Sequence, residues 1–85
     1  WGDRVNFAGL VANGRVFRGE GGRYVTFVTL GVNNGEYVDV TIKKPFGYKD
    51  TDVVAGSGKV RMSNGSRYID CWDAKGYRLD QYLSH

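Results

Sequence analysis

Apolar and polar residues alternate along residues 36–44, EYVDVTIKK: Val38, Val40 and Ile42 fall on one parity and Tyr37, Asp39, Thr41 and Lys43 on the other. Successive side chains of a strand point to opposite faces, so this period of two predicts a half-buried strand over Glu36–Lys44. Similar patterns predict a first strand at about Val5–Ala12 and a second over residues 24–32, YVTFVTLGV, where β-branched and aromatic residues dominate. A fourth follows at about Val53–Met62, in which Gly56-Ser57-Gly58 permits a bulge or sharp coil, and a fifth covers Arg67–Asp73. Phe7, Val11, Val28, Leu30, Val38, Val40, Ile42, Val60 and Met62 are the expected core.

Glycine, asparagine and proline punctuate these runs. Asn13-Gly14 and the stretch Arg18-Gly19-Glu20-Gly21-Gly22 make a mobile loop after the first strand, and Asn33-Asn34-Gly35 predicts a tight hairpin. Pro45 lacks a ladder donor and ends the third strand, Pro45–Asp52 is a connection, and Asn64-Gly65 closes a second hairpin. Residues 75–85 have a weak helical look, with Gly76 arguing for a tail or a single turn. Five short strands in one domain, residues 1–85 with a core at about 4–74, suit a small all-β barrel, whose closure removes exposed sheet edges. An SH3-like barrel is the rival fold.

Composition narrows the class. Eighty-five residues with thirteen glycines and one proline make a globular chain rich in turns, too small for an enzyme with a separate substrate lobe. Cys71 is the sole cysteine, so neither an intrachain disulfide nor a thiolate set for zinc is available, and a reducing, cytoplasmic setting is expected. No apolar run approaches the roughly 20 residues of a membrane span, and no secretory signal opens the chain, so a soluble protein is expected. The first residue, Trp1, is not methionine, which suggests trimming at that end.

The net charge of +3 is modest, but its distribution is uneven. Arg4, Arg15, Arg18 and Arg23 face only Glu20 within residues 4–23, while Lys43, Lys44 and Lys49, and then Lys59, Arg61 and Arg67, stand unopposed in their own stretches. Residues 68–85 are slightly acidic, so the positive charge belongs to the first three-quarters of the chain and suggests a polyanionic partner.

Candidate chemistry is sparse. His85, the only histidine, is the last residue, which gives no support to a histidine-dependent triad. Asp70 and Asp73 flank Cys71-Trp72, but a regular strand places residues three apart on opposite faces, and Cys71 reads as a small buried hydrophobe. Gly19-Glu20-Gly21-Gly22 is followed by neither Lys-Ser nor Lys-Thr, so a nucleotide-binding loop is not indicated. No enzyme, metal, cofactor or small-molecule substrate is expected.

Aromatic rings interleaved with cations remain. Tyr37 shares the exposed parity of the third strand with Thr41 and Lys43; Tyr68 and Trp72 oppose the inward Ile69 and Cys71; Phe27 shares parity with Thr29. Residues 43–49, KKPFGYK, pack Phe46 and Tyr48 among three lysines. Unpaired bases stack on such rings while Lys and Arg follow the phosphates. Tyr37, Phe46, Tyr48, Trp72, Phe27 and Tyr68 are therefore the candidate base-stacking residues, and Arg15, Arg18, Arg23, Lys43, Lys44, Lys49, Lys59 and Arg61 the candidate phosphate contacts.

The order of motifs resembles the single-stranded DNA-binding proteins of bacteria and their phages and plasmids. Residues 5–11, VNFAGLV, are followed by an arginine-containing loop, by Tyr24–Val32 with Thr29-Leu30-Gly31, and by Glu36-Tyr37-Val38-Asp39-Val40; Gly58-Lys59-Val60-Arg61, Asn64-Gly65 and Arg67-Tyr68 look like the family's last two strands. The resemblance spans about residues 4–74 and implies an OB-fold, a five-stranded Greek-key barrel that coats single-stranded DNA during replication or recombination. It also implies a homodimer or homotetramer, here through the first strand, whose outer parity carries Ala8 and Leu10. Tyr37 occupies the position of the family's stacking aromatic at the start of the third strand; the second such aromatic falls near Lys43, where Phe46 is the nearest substitute. The family's long hairpins and its helix between strands three and four shrink here to short connections, and Tyr82-Leu83-Ser84-His85 does not resemble its acidic C-terminal tail. An RNA-binding OB domain and a small protein-interaction barrel remain alternatives.

Overall fold

The computed structural model describes residues 3–32 and 35–84; the side chains of Glu20 and Trp72 lie outside that description. The chain is all-β except for one short helix: β1 (Arg4–Arg18), β2 (Tyr24–Gly31), β3 (Tyr37–Ile42), β4 (Val53–Ser63), β5 (Ser66–Tyr77) and α1 (Leu79–Leu83). The strands form a closed, barrel-like ring in the order β1-β2-β3-β5-β4, with β4 pairing back onto β1. All neighbours are antiparallel except β3 and β5, which run parallel where Val40 meets Ile69 and Ile42 meets Cys71.

One strand serves two neighbours. Residues Arg4–Leu10 of β1 pair with β4, and Leu10–Arg18 pair with β2. Ala12 is an extra residue in the second ladder, since Val11 opposes Leu30 and Asn13 opposes Thr29. Such a bulge turns the strand and reverses which parity faces inward. The loop expected at Asn13-Gly14 is therefore strand, and β1 continues to Arg18 before a 3₁₀ turn at Glu20–Gly22. The hairpin expected at Asn33-Asn34-Gly35 falls largely outside the described residues.

β5 carries the second bulge. Ser57 opposes Asp73 and Gly58 opposes Cys71, which leaves Trp72 as the extra residue. Ala74, and not Asp73, therefore follows Ile69 and Cys71 into the core, and β5 runs on to Tyr77, so the expected tail begins three residues late. The strands are tightly apposed there: a Cβ on Gly58 would lie 2.5 Å from the Asp70 carbonyl oxygen and 2.9 Å from Ile69 Cγ2. Asn64 and Gly65 both adopt positive φ, as a two-residue hairpin turn requires.

The core joins Val28, Leu30, Val40, Ile42, Val54, Ile69, Cys71 and Ala74, with Phe7, Val11, Val38, Phe46 and Tyr48 packed against it. Met62, expected inside, is exposed near the end of the β4–β5 hairpin. The connection 43–52 substitutes side chains for a helix: Phe46 and Tyr48 pack on the core, and Thr26 Oγ1 donates to the Lys44 carbonyl at 2.7 Å. α1 is tied to the barrel by Leu79 N–H, which donates to Asp52 Oδ2 at 2.9 Å. Among the described residues no helix is long and apolar enough to cross a membrane.

Candidate nucleic-acid interface

The outer parity of β2 and β3 forms the floor of an open groove of about 960 Å³. Because Thr26, Val28 and Leu30 point into the core, Phe27 and Thr29 point out, and the register sets Phe27 beside Thr41 and Thr29 beside Asp39. Thr29 Oγ1 donates to Asp39 Oδ1 at 2.9 Å, which fixes two polar groups on the floor. One wall is the β1–β2 hairpin, with Arg15, Arg23 and Tyr24; the other is the start of β5, with Arg67, Tyr68 and Asp70; Lys43 stands at the end of β3.

The β1 bulge supplies a ring that sequence reasoning missed. Carried forward without a shift, the alternation of Phe7, Gly9 and Val11 would point Phe17 inward. After the bulge, Phe17 lies on the outer side with Arg15, and its ring meets Phe27 edge-on at 5.4 Å between centroids with 73° between planes. Arg15 Cζ lies 4.9 Å from the Phe17 ring centroid, a cation–π contact that holds a guanidinium beside two exposed rings. Phe17 adjoins the groove through Phe27, and Tyr24 and Arg67 line it without having been expected there. Phe17 could have been found only by locating the bulge, for which Ala12-Asn13-Gly14 gives a weak signal.

The expected residues divide. Phe27, Tyr68, Arg15, Arg23 and Lys43 line the groove. Tyr37 stands on the same outer parity of β3 at its far end, opposite Gly31, and is 68% exposed. Arg61, on β4 opposite Tyr68, reaches Asp70, whereas Arg18, Lys44 and Lys59 are exposed without lining the groove. Trp72 lies in β5, but its side chain is outside the described residues. Phe46 and Tyr48 lie away from the groove: both are half-buried against the core, and Tyr48 lies over Gly14, where a Cβ would meet its ring at 2.8 Å. Lys49 accompanies Tyr48 at a separate shallow cleft.

Titratable chemistry is limited. Burial pushes the Cys71 thiol up from its ordinary value; its Sγ donates to the Ser57 carbonyl at 3.2 Å and it is fully buried, which makes it a poor nucleophile. No group of three His, Cys, Asp or Glu side chains among the described residues is placed to hold a metal ion. Compared with known proteins, the chain matches no family model and no curated protein sequence.

Proposed function

We propose that the protein binds single-stranded nucleic acid, single-stranded DNA first, in a sequence-tolerant way through the β2–β3 groove. The observation that carries the reading is the coincidence of one open groove with rings and cations drawn from separate elements: Phe27 on the floor, Arg15, Arg23 and Tyr24 on one hairpin, Tyr68 and Lys43 opposite. Bases stack on rings without regard to sequence, and cations follow the backbone. Tyr37 extends the ring-bearing surface along β3. The strand order, with β3 parallel to β5 and β4 closing on β1, supports an OB-type Greek-key barrel, in which the face of strands two and three and the loops joining strands one–two and four–five receive oligonucleotides. This is the arrangement expected of a minimal, cytoplasmic relative of the single-stranded DNA-binding proteins that the sequence resembles. Self-association through β1 belongs to the same reading, supported by Leu10, which is exposed on the outer parity.

The test is a titration of fluorescently labelled oligo-dT, oligo-U and duplex DNA by anisotropy at several salt concentrations. Oligo-dT should bind more tightly than duplex, with log K falling against log salt by about 0.7 for each phosphate neutralised. Binding that ignores salt, or no binding of either single strand, defeats the proposal. Preference for oligo-U over oligo-dT reassigns the partner to RNA.

A further inference from the structure

A surface for polyanions should exclude carboxylates, yet Asp70 lines this groove with a side chain only 10% exposed. Its Oδ2 accepts from Arg61 Nε at 2.8 Å and lies 3.6 Å from Lys43 Nζ. Among the described residues its buried Oδ1 has no hydrogen-bond partner. An unsatisfied buried acceptor costs stability, so this carboxylate is not explained by folding alone. The two cations come from different strands, Lys43 from the end of β3 and Arg61 from β4, and they converge on a single oxygen of β5, which lies between those strands.

We propose that Asp70 is a positioning residue that holds Arg61 and Lys43 together as a two-cation clamp for a backbone phosphate of a strand lying in the groove; the inference rests on the nucleic-acid reading above. The layering fits this role. The carboxylate is buried, while the Lys43 and Arg61 side chains are 61% and 50% exposed, so the cations are the part of the cluster that solvent meets. Arg61 is held through Nε, which leaves the donors on both Nη nitrogens for the paired contacts that suit phosphate oxygens. Anchoring also removes part of the side-chain freedom that a long cationic stem would otherwise lose on binding. The trio keeps a net positive charge, so a phosphate is still attracted to it.

The sign of one variant decides the matter. If Asp70 were only a misplaced negative charge, Asp70→Asn would tighten oligo-dT binding. The clamp predicts the reverse: binding weakened by about 3- to 10-fold, with the salt slope shallower by about 0.7, because one phosphate contact is lost. Arg61→Lys keeps the charge but lacks the Nε and the fork, and should weaken binding to a similar extent; Asp70→Asn added to it should change little more. Equal or tighter binding by Asp70→Asn, or losses that simply add in the double variant, overturns the clamp. Thermal melting accompanies each measurement, and if Asp70→Asn does not fold, Arg61→Lys at its exposed position decides alone: unchanged affinity and slope refute the clamp. Failure of the unaltered protein to bind oligo-dT removes the parent reading and the clamp together, whereas normal binding with a tightened Asp70→Asn removes the clamp alone.

Discussion

The two halves of β1 obey the same alternation and end in opposite situations. In Arg4–Leu10 the inward residues Val5, Phe7 and Gly9 lie under the ring of strands, and Phe7 packs on the core. Beyond the bulge the strand runs with β2 to the end of a hairpin in which both faces meet solvent: Val16 is 43% exposed on one side and Phe17 44% on the other. Pairing alone does not bury a residue; a second layer does. The barrel half therefore carries the stability of the fold, while the hairpin half carries rings that stay about two-fifths exposed and can meet a ligand.

The sharpest way to break that contrast is to truncate one residue in each region. Leu30→Ala removes a fully buried side chain from the middle of the core and should cost about 2–5 kcal/mol, read from the shift in urea midpoint. Val16→Ala, on the same inward register but without cover, should change stability by less than about 0.5 kcal/mol. A Val16→Ala loss comparable to that of Leu30→Ala would show that the hairpin is covered after all.

Rings sharpen the comparison with a smaller effect and a reversal between two readouts. Phe17→Ala should leave the urea midpoint almost unmoved while weakening oligo-dT binding by about 1–3 kcal/mol, the loss of one stacked base. Tyr48→Ala should do the opposite, lowering stability by about 1–3 kcal/mol because the ring packs on the core and over Gly14, with oligo-dT affinity retained. If both variants lose affinity and keep stability, the division between supporting and binding rings is wrong.

Much of the barrel was legible because burial imposes a period of two. The predicted cores of β2 and β3 lie where the alternation placed them, whereas β4 buries Val53 and Val54 and leaves Met62 exposed, and Asn64-Gly65 turns where its chemistry requires. What was hidden follows from two single-residue insertions. The bulge at Ala12 turned a predicted loop into strand and moved Phe17 to the outer side, and the bulge at Trp72 sent Ala74 inward in place of Asp73. A bulge depends on what the partner strand does, so a pattern within one strand does not reveal it. The placement of Phe46 and Tyr48 was hidden for a related reason: lysines flank them in sequence, but the connection that carries them folds back and packs the rings, and not the charges, against the core. Phe27, Tyr68 and Lys43 were legible as a set because outward parity and ring or charge type agreed at each position.

The smallest effect probes how thoroughly the core half is sealed. Cys71 is fully buried between strands, and desolvation raises its thiol above the ordinary value of 9.0. The folded chain then keeps the proton at pH values where the unfolded chain has released it. Since the unfolded state binds fewer protons there, stability falls as pH rises; well below pH 9 both states are protonated and the thiol contributes nothing. The loss should set in around pH 9, where half of the unfolded thiols are ionised, and grow above it. Other groups titrate in the same range, so the measured quantity is the difference in unfolding free energy between the unaltered protein and Cys71→Ala, followed from pH 7 to pH 10. The variant starts less stable because of the cavity it leaves, and the gap should narrow as pH rises. A gap that stays constant would mean that the thiol ionises as easily in the folded chain as in the unfolded one, and that water enters the barrel as it does the hairpin.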